Sequence, residues 1–281
     1  MRENSTIARI ENALIFDSKY QLTAKEQKII LLLISKIDPT TQFGLGVQLV
    51  SLKDLEKIIN GKRISGSFRK ELNQFASRIL QKQLAFKTNY VFRGERLEGH
   101  MNWFQSIIPT LTESGEMAME FQFSNRLKPF LLDLKEYAQI DYQEVLPLQS
   151  GHSVRMYQIF KAHRNKMRKH QHKSKITYVV EEFKALLGID NKYQDFRNLR
   201  KRVLKPIEDE INLSTSIHVK YSPIRENRKI VAIRFEFWES ANKEVLPKSK
   251  KKTFDSLSFA ELKAYKQLIN YGIKESICFE M

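Results

Sequence analysis

The stretch YQDFRNLRKRVLKPIEDEINLSTSIHVKYSPIRENRKIVAIRFEFWE, residues 193–239, holds the most organised pattern in the chain. Its first part has a helical period, with Phe196, Leu199, Val203 and Ile207 forming one apolar stripe. The opposite face presents Gln194, Arg197, Asn198, Lys201 and Lys205, with Arg200 and Arg202 on its flanks. Pro206 removes a backbone donor from this helix and predicts a kink or a fresh helical segment from that point. The second part alternates as two strands around a polar loop containing Arg225, Arg228 and Lys229. A long polar-faced helix followed by a two-stranded wing is the C-terminal portion of a winged helix-turn-helix.

The remaining portion lies just upstream. SVRMYQIFKAHRNKM (153–167) predicts a first helix with Val154, Tyr157, Ile159 and Phe160 inward. VVEEFKALLGI (179–189) predicts a short helix stopped by Gly188. The same order occurs earlier in the chain. TAKEQKIILLLISKI (23–37) is a helix whose Thr23 and Glu26 have capping-box spacing, with Ile29, Leu32, Leu33 and Ile37 on one face. Ser51 caps LKDLEKIIN, which Gly61 ends, and a turn at Ser65-Gly66-Ser67 leads into FRKELNQFASRILQKQLAF (68–86). Residues 87–123 read as strands and loops. A shift of 128 residues lays Leu55, Ile58 and Ile59 on Phe183, Leu186 and Leu187. A shift of 127 lays Leu72, Ala76, Leu80 and Leu84 on Leu199, Val203, Ile207 and Ile211. The expected fold is α+β, two tandem winged-helix domains in pseudo-repeat, at residues 1–135 and 136–240. A basic linker and a C-terminal helical tail follow at 241–281, the tail helix capped at Ser256 or Ser258 and stopped at Gly272.

Composition narrows the partner. The formal charge of +16 over 281 residues favours a polyanion, nucleic acid before anionic membrane. No apolar run approaches the roughly 18 residues of a membrane span, and the first residues lack signal-peptide features. Cys278 is the single cysteine, which excludes an intrachain disulfide and a cysteine-rich zinc site and suggests a reducing cytoplasm.

The helix faces carry the candidate chemistry. Arg can reach guanine O6 and N7 with two bonds, and Asn or Gln can do the same at adenine N6 and N7. Lysines and flanking arginines suit phosphates. The matching face of the first repeat presents Lys70, Asn73, Gln74, Ser77, Arg78 and Gln81, richer in amides and lower in charge. A solvated basic face is the competing reading for the second helix; for the first, a helix facing solvent or packed on a partner competes more strongly. His163, His170 and His172 lie in a basic tract without Cys or carboxylate, so phosphate contact or solvation is expected there rather than metal. No GxxxxGK[ST] loop occurs, and His170-Gln171-His172 lacks the apolar centre and strand context of a nicking site. Tyr157 reads as core. The expectation is a protein that is not an enzyme and uses no cofactor or metal.

Four stretches carry a resemblance: LTAKEQKIILLLISKI, VSLKDLEKI, SVRMYQIFKAHR and FRNLRKRVLKPIEDEINLSTSIHVKY. In these the chain resembles the replication initiators (Rep proteins) of iteron-bearing, theta-replicating plasmids, over roughly residues 7–239. The resemblance implies monomers that bind direct repeats of duplex DNA at an origin, open it, and recruit the host initiator and replicative helicase. It also implies homodimers that repress their own gene, pairing through the first domain. Carried onto this chain, Arg197–Lys205 would make the main base contacts and Lys70–Gln81 backbone and fewer base contacts. The strands around Trp103–Phe123 would form the dimer edge. A repressor without origin function, a nicking rolling-circle initiator and a lipid-surface protein remain as alternatives.

Overall fold

The computed structural model describes residues 6–42, 44–59, 68–165 and 173–239. The first half opens with β1 (Ile7–Glu11), α1 (Asn12–Phe16) and β2 (Ser18–Tyr20). In α2 (Ala24–Ser35) the capping box is present. The Glu26 N–H donates to Thr23 Oγ1 at 3.3 Å, and the Thr23 N–H donates to Glu26 Oε2 at 2.7 Å. Ile29, Ile30, Leu31, Leu33 and Ile34 are all buried, so α2 is enclosed on nearly every side. Leu32, expected on the inner face, is only half-buried, because a central helix has no single outward stripe.

β3 (Val47–Ser51) leads into α3 (Leu52–Ile59), where Ser51 Oγ accepts the Asp54 N–H at 3.2 Å. The stop at Gly61 and the turn at 65–67 lie outside the described residues. Next comes α4 (Phe68–Leu80), which buries Leu72, Phe75 and Ile79. It ends at Leu80 rather than at Phe86, and β4 (Gln83–Phe92) takes the rest. Leu84, Ala85 and Phe86 pair with Tyr20, Lys19 and Ser18, so strand pairing overrides a helical spacing that ran on past the helix. Superposing Leu84 on Ile211 therefore fails.

β5 (Glu95–Asn102), β6 (Phe104–Leu111) and β7 (Met117–Phe123) follow. Phe92 lies opposite Glu95 across a two-residue turn, Arg93-Gly94, with φ of 51° and 83°. That is the geometry favoured for tight hairpins, and β4–β5 is a first wing. β3, β7 and β6 form a separate antiparallel sheet with β6 at one edge. After α5 (Lys128–Leu131), β8 (Tyr137–Asp141) returns to pair antiparallel with β1, and α6 (Tyr142–Val145) follows. β8 lies past residue 135 in the chain and beside the N-terminal strand in space.

In the second half α7 (Gly151–Asn165) buries every residue from Ser153 to Phe160, including the expected Val154, Tyr157, Ile159 and Phe160. β9 (Ser174–Val179), α8 (Val180–Leu186) and α9 (Phe196–Leu199) come next. Gly188 ends α8 with φ of +65°, and its carbonyl accepts Gln21 Nε2 at 2.6 Å. A π turn spans Arg200–Leu204, and α10 (Lys205–Ser214) continues from it. The Lys205 N–H donates to the carbonyl of Arg200, five residues back. Widening the turn makes room for the Pro206 ring, so the expected kink is taken up as this π turn. β10 (Ile217–Glu226) and β11 (Lys229–Glu239) close the fold, and β9 pairs with β11.

The two halves form one compact unit, in which α2 and α7 pack together. Polar side chains at this joint are paired across it, with Gln158 Nε2 donating to Gln27 Oε1 at 3.1 Å and Gln27 Nε2 to the Gly151 carbonyl at 2.8 Å. No described helix is long and apolar enough to cross a membrane. The tail at 241–281 lies outside the described residues.

Candidate nucleic-acid interface

On α4, burial of Leu72, Phe75 and Ile79 turns Lys70, Asn73, Gln74, Ser77, Arg78 and Gln81 outward, and all six are exposed. The second helix does the same more strongly. Leu199, Val203, Leu204 and Ile207 are at most 1% exposed, whereas Gln194, Arg197, Asn198, Arg200, Lys201, Arg202 and Lys205 face solvent. Arg225, Arg228 and Lys229 are exposed at the tip of the β10–β11 hairpin. There Glu226 lies opposite Lys229, and Asn227 and Arg228 form the turn with φ of 44° and 71°. The arginine occupies a left-handed position that ordinarily suits Gly or Asn.

Local bonds hold parts of this surface in place. Asp195 is the N-cap of α9, its Oδ1 accepting the Arg197 N–H at 2.8 Å. Its Oδ2 accepts Arg197 Nε–H at 3.1 Å and lies 3.0 Å from Nη2. The backbone N–H of Arg197, and after it the guanidinium, hold the Asp195 carboxyl below its ordinary range. Arg200 Nε donates to Tyr221 Oη at 3.3 Å, joining the helix to the wing. Lys205 Nζ lies 2.7 Å from Asp209 Oδ1, and that bond raises the lysine above its usual value.

Asp195 carries no signal of its own in the residue pattern, whereas the first wing falls within the strands expected after the first long helix. That wing exposes Tyr90, Val91, Phe92 and Leu97, with the Arg93 guanidinium 5.3 Å from the Phe92 ring centre. The Arg-Gly pair between β-formers was its available signal. His163 is half-buried, its ring 4.6 Å from that of Phe16, while His170 and His172 lie outside the described residues. Tyr157 is fully buried and donates its hydroxyl to Glu144.

Residues 7–161 match the family model described as initiator replication protein, WH1, and residues 179–237 match initiator Rep protein, WH2. The chain belongs to the replication initiator family. Its two winged-helix domains and the resemblance to plasmid initiators are thereby established. A replication initiation protein of Escherichia coli is 24% identical over 195 residues, covering 69% of this chain and 58% of that relative. The chain thus matches little more than half the length of this curated relative. A crystal structure of the Pi initiator protein in complex with iteron DNA is similar in fold. Its TM-score is 0.63 at 19% identity, over 85% of this initiator and all of that chain.

Proposed function

We propose that this initiator binds tandem duplex repeats at a plasmid origin as a monomer, opens the adjacent DNA and recruits the host initiator and replicative helicase. What supports this most is the duplication itself. Two winged helices, each with an exposed polar helix, are held in one compact unit, which suits two major-groove segments of one long site. The Pi initiator, similar in fold, was crystallised with iteron DNA.

In this reading the second domain (136–240) is the main reader, through Arg197, Asn198 and Gln194 at bases. Arg200, Lys201, Arg202, Lys205 and the wing residues Arg225, Arg228 and Lys229 serve phosphates. The first domain (1–135) adds contacts from Lys70, Asn73, Gln74, Ser77 and Arg78. It also supplies a homodimer edge for autorepression, where β6 ends its sheet and exposes Ile108 and Leu111 beside Met117 of β7. The site of action is the bacterial cytoplasm, with no catalytic step.

Selection of bound sites from a random duplex pool tests this, at about 150 mM salt to suppress nonspecific phosphate binding. One site of roughly 20 bp, recovered and found as tandem copies beside the gene, supports the initiator. An inverted repeat alone points to a repressor, and no enriched site at all overturns sequence-specific binding.

A further inference from the structure

The side-chain geometry at the start of α9 assigns a use to an acidic residue on an otherwise basic face. Arg197 is 92% exposed, and an exposed arginine ordinarily samples many rotamers. Asp195 restricts it. Its carboxylate engages the Nε–H at 3.1 Å and Nη2 at 3.0 Å, the side edge of the guanidinium. The other Oδ accepts the Arg197 backbone N–H at 2.8 Å, so the carboxylate is itself fixed to the helix start. Its backbone carbonyl also accepts the N–H groups of Asn198 and Leu199, at 3.0 and 3.2 Å.

A guanidinium has five donors in a planar fork. With Nε–H and one Nη2 hydrogen taken by Asp195, the Nη1 and outer Nη2 hydrogens still form a parallel pair at the far end. That pair matches O6 and N7 of a guanine in the major groove. It is also kept from a phosphate, because moving there would bring the Asp195 carboxylate against the negatively charged backbone. Resting on the proposed sequence-specific binding, we infer that Asp195 is a positioning residue that holds Arg197 end-on to one guanine and so sets selectivity at a single base pair.

Removal of an acid from a DNA-binding surface would by charge alone strengthen binding to every sequence equally. Positioning has a different signature. Asp195→Ser keeps a side chain that caps the helix and removes the carboxylate, while Asp195→Asn keeps the capping oxygen but sets an NH2 donor where Oδ2 meets the guanidinium. Affinity of the full chain would be measured on the selected site, on its single-base-pair variants and on random duplex, with thermal melts confirming the fold. For Asp195→Ser we expect discrimination to fall about tenfold or more at one G·C pair. This is the same pair at which Arg197→Ala loses it, with random-duplex affinity equal or slightly raised. Asp195→Asn, which caps the helix but cannot accept from the guanidinium, should lose discrimination at the same pair.

Two results overturn the inference: unchanged discrimination at every position in Asp195→Ser, or equal change on cognate and random DNA. A wild-type chain that discriminates at no base pair defeats sequence-specific binding itself, which separates that failure from failure of the positioning role.

Discussion

The guanidinium of Arg155 donates to the main-chain carbonyl of Ile15 at 2.8 Å, across 140 residues of chain. The same Nη2 donates to the Ser18 carbonyl at 2.8 Å, and Nη1 donates to the Tyr20 hydroxyl while the guanidinium carbon lies 4.1 Å from that ring's centre. Arg155 is 3% exposed and sits on α7, so one side chain of the second half satisfies the end of α1 and the turn into β2 in the first. Arg155→Ala should strand these acceptors in the interior and destabilise the chain by about 3 kcal/mol. Arg155→Lys should recover little, because a single ammonium cannot reproduce the fork. Urea unfolding of the two variants checks this. A midpoint unchanged in Arg155→Ala would show that the joint holds without it.

Lys201 and Lys205 both face solvent, but Lys205 has a counter-charge 2.7 Å away in Asp209. Removing Lys201 should lower the slope of log affinity against log salt by about one. Lys205→Ala should lower it less, since its charge is already partly compensated before DNA arrives. Salt titrations on one duplex compare the two, and a larger effect at Lys205 would count against this.

Burial first, and then the nearby Lys192 ammonium, hold the His152 imidazole below its ordinary value of 6.5. The folded chain therefore keeps this histidine neutral at a pH where the unfolded chain begins to protonate it. Stability from this source is complete above about pH 6.5 and falls as pH drops through the window down to the depressed folded value. Unfolding midpoints should decline between pH 7.5 and 5.5, and His152→Gln should flatten that decline. Parallel curves for the two proteins would exclude His152 as the cause.

The Thr23–Glu26 capping box satisfies donors at the start of a helix buried on nearly all sides. Thr23→Ala should cost about 1 kcal/mol, and Thr23→Ser much less. Thermal denaturation distinguishes the two, and equal losses would point to the lost methyl instead of the hydroxyl.

The order of elements was legible because capping residues and apolar periods are local. Thr23, Ser51 and Gly188 lie where their chemistry says a helix begins or ends. The end of α4 was not legible, since Leu80 and Leu84 fit a helical stripe while Leu84 and Phe86 fit a strand. What decides between them is Ser18–Tyr20, more than sixty positions away in the chain. The pairing of Ile7 with Asp141 is hidden for the same reason. The outward placement of Arg197 and its neighbours could be read by subtraction from the buried stripe. The grip of Asp195 on Arg197 could not, because it depends on a side-chain rotamer.

The π turn has a consequence for how this helix keeps time. Leu199, Val203, Ile207 and Ile211 are spaced four apart at every step, and all are buried. At about 100° per residue an α-helix would carry such a row about 40° around its axis per step, or about 120° from first to last. One extra residue in the wide turn returns roughly 100° of that, so the row stays in phase with the core. Closing that turn to ordinary α geometry with every residue kept would therefore act like a slipped gear tooth. It would leave two sound helical segments facing different ways, with either the reading edge or the hydrophobic edge out of mesh.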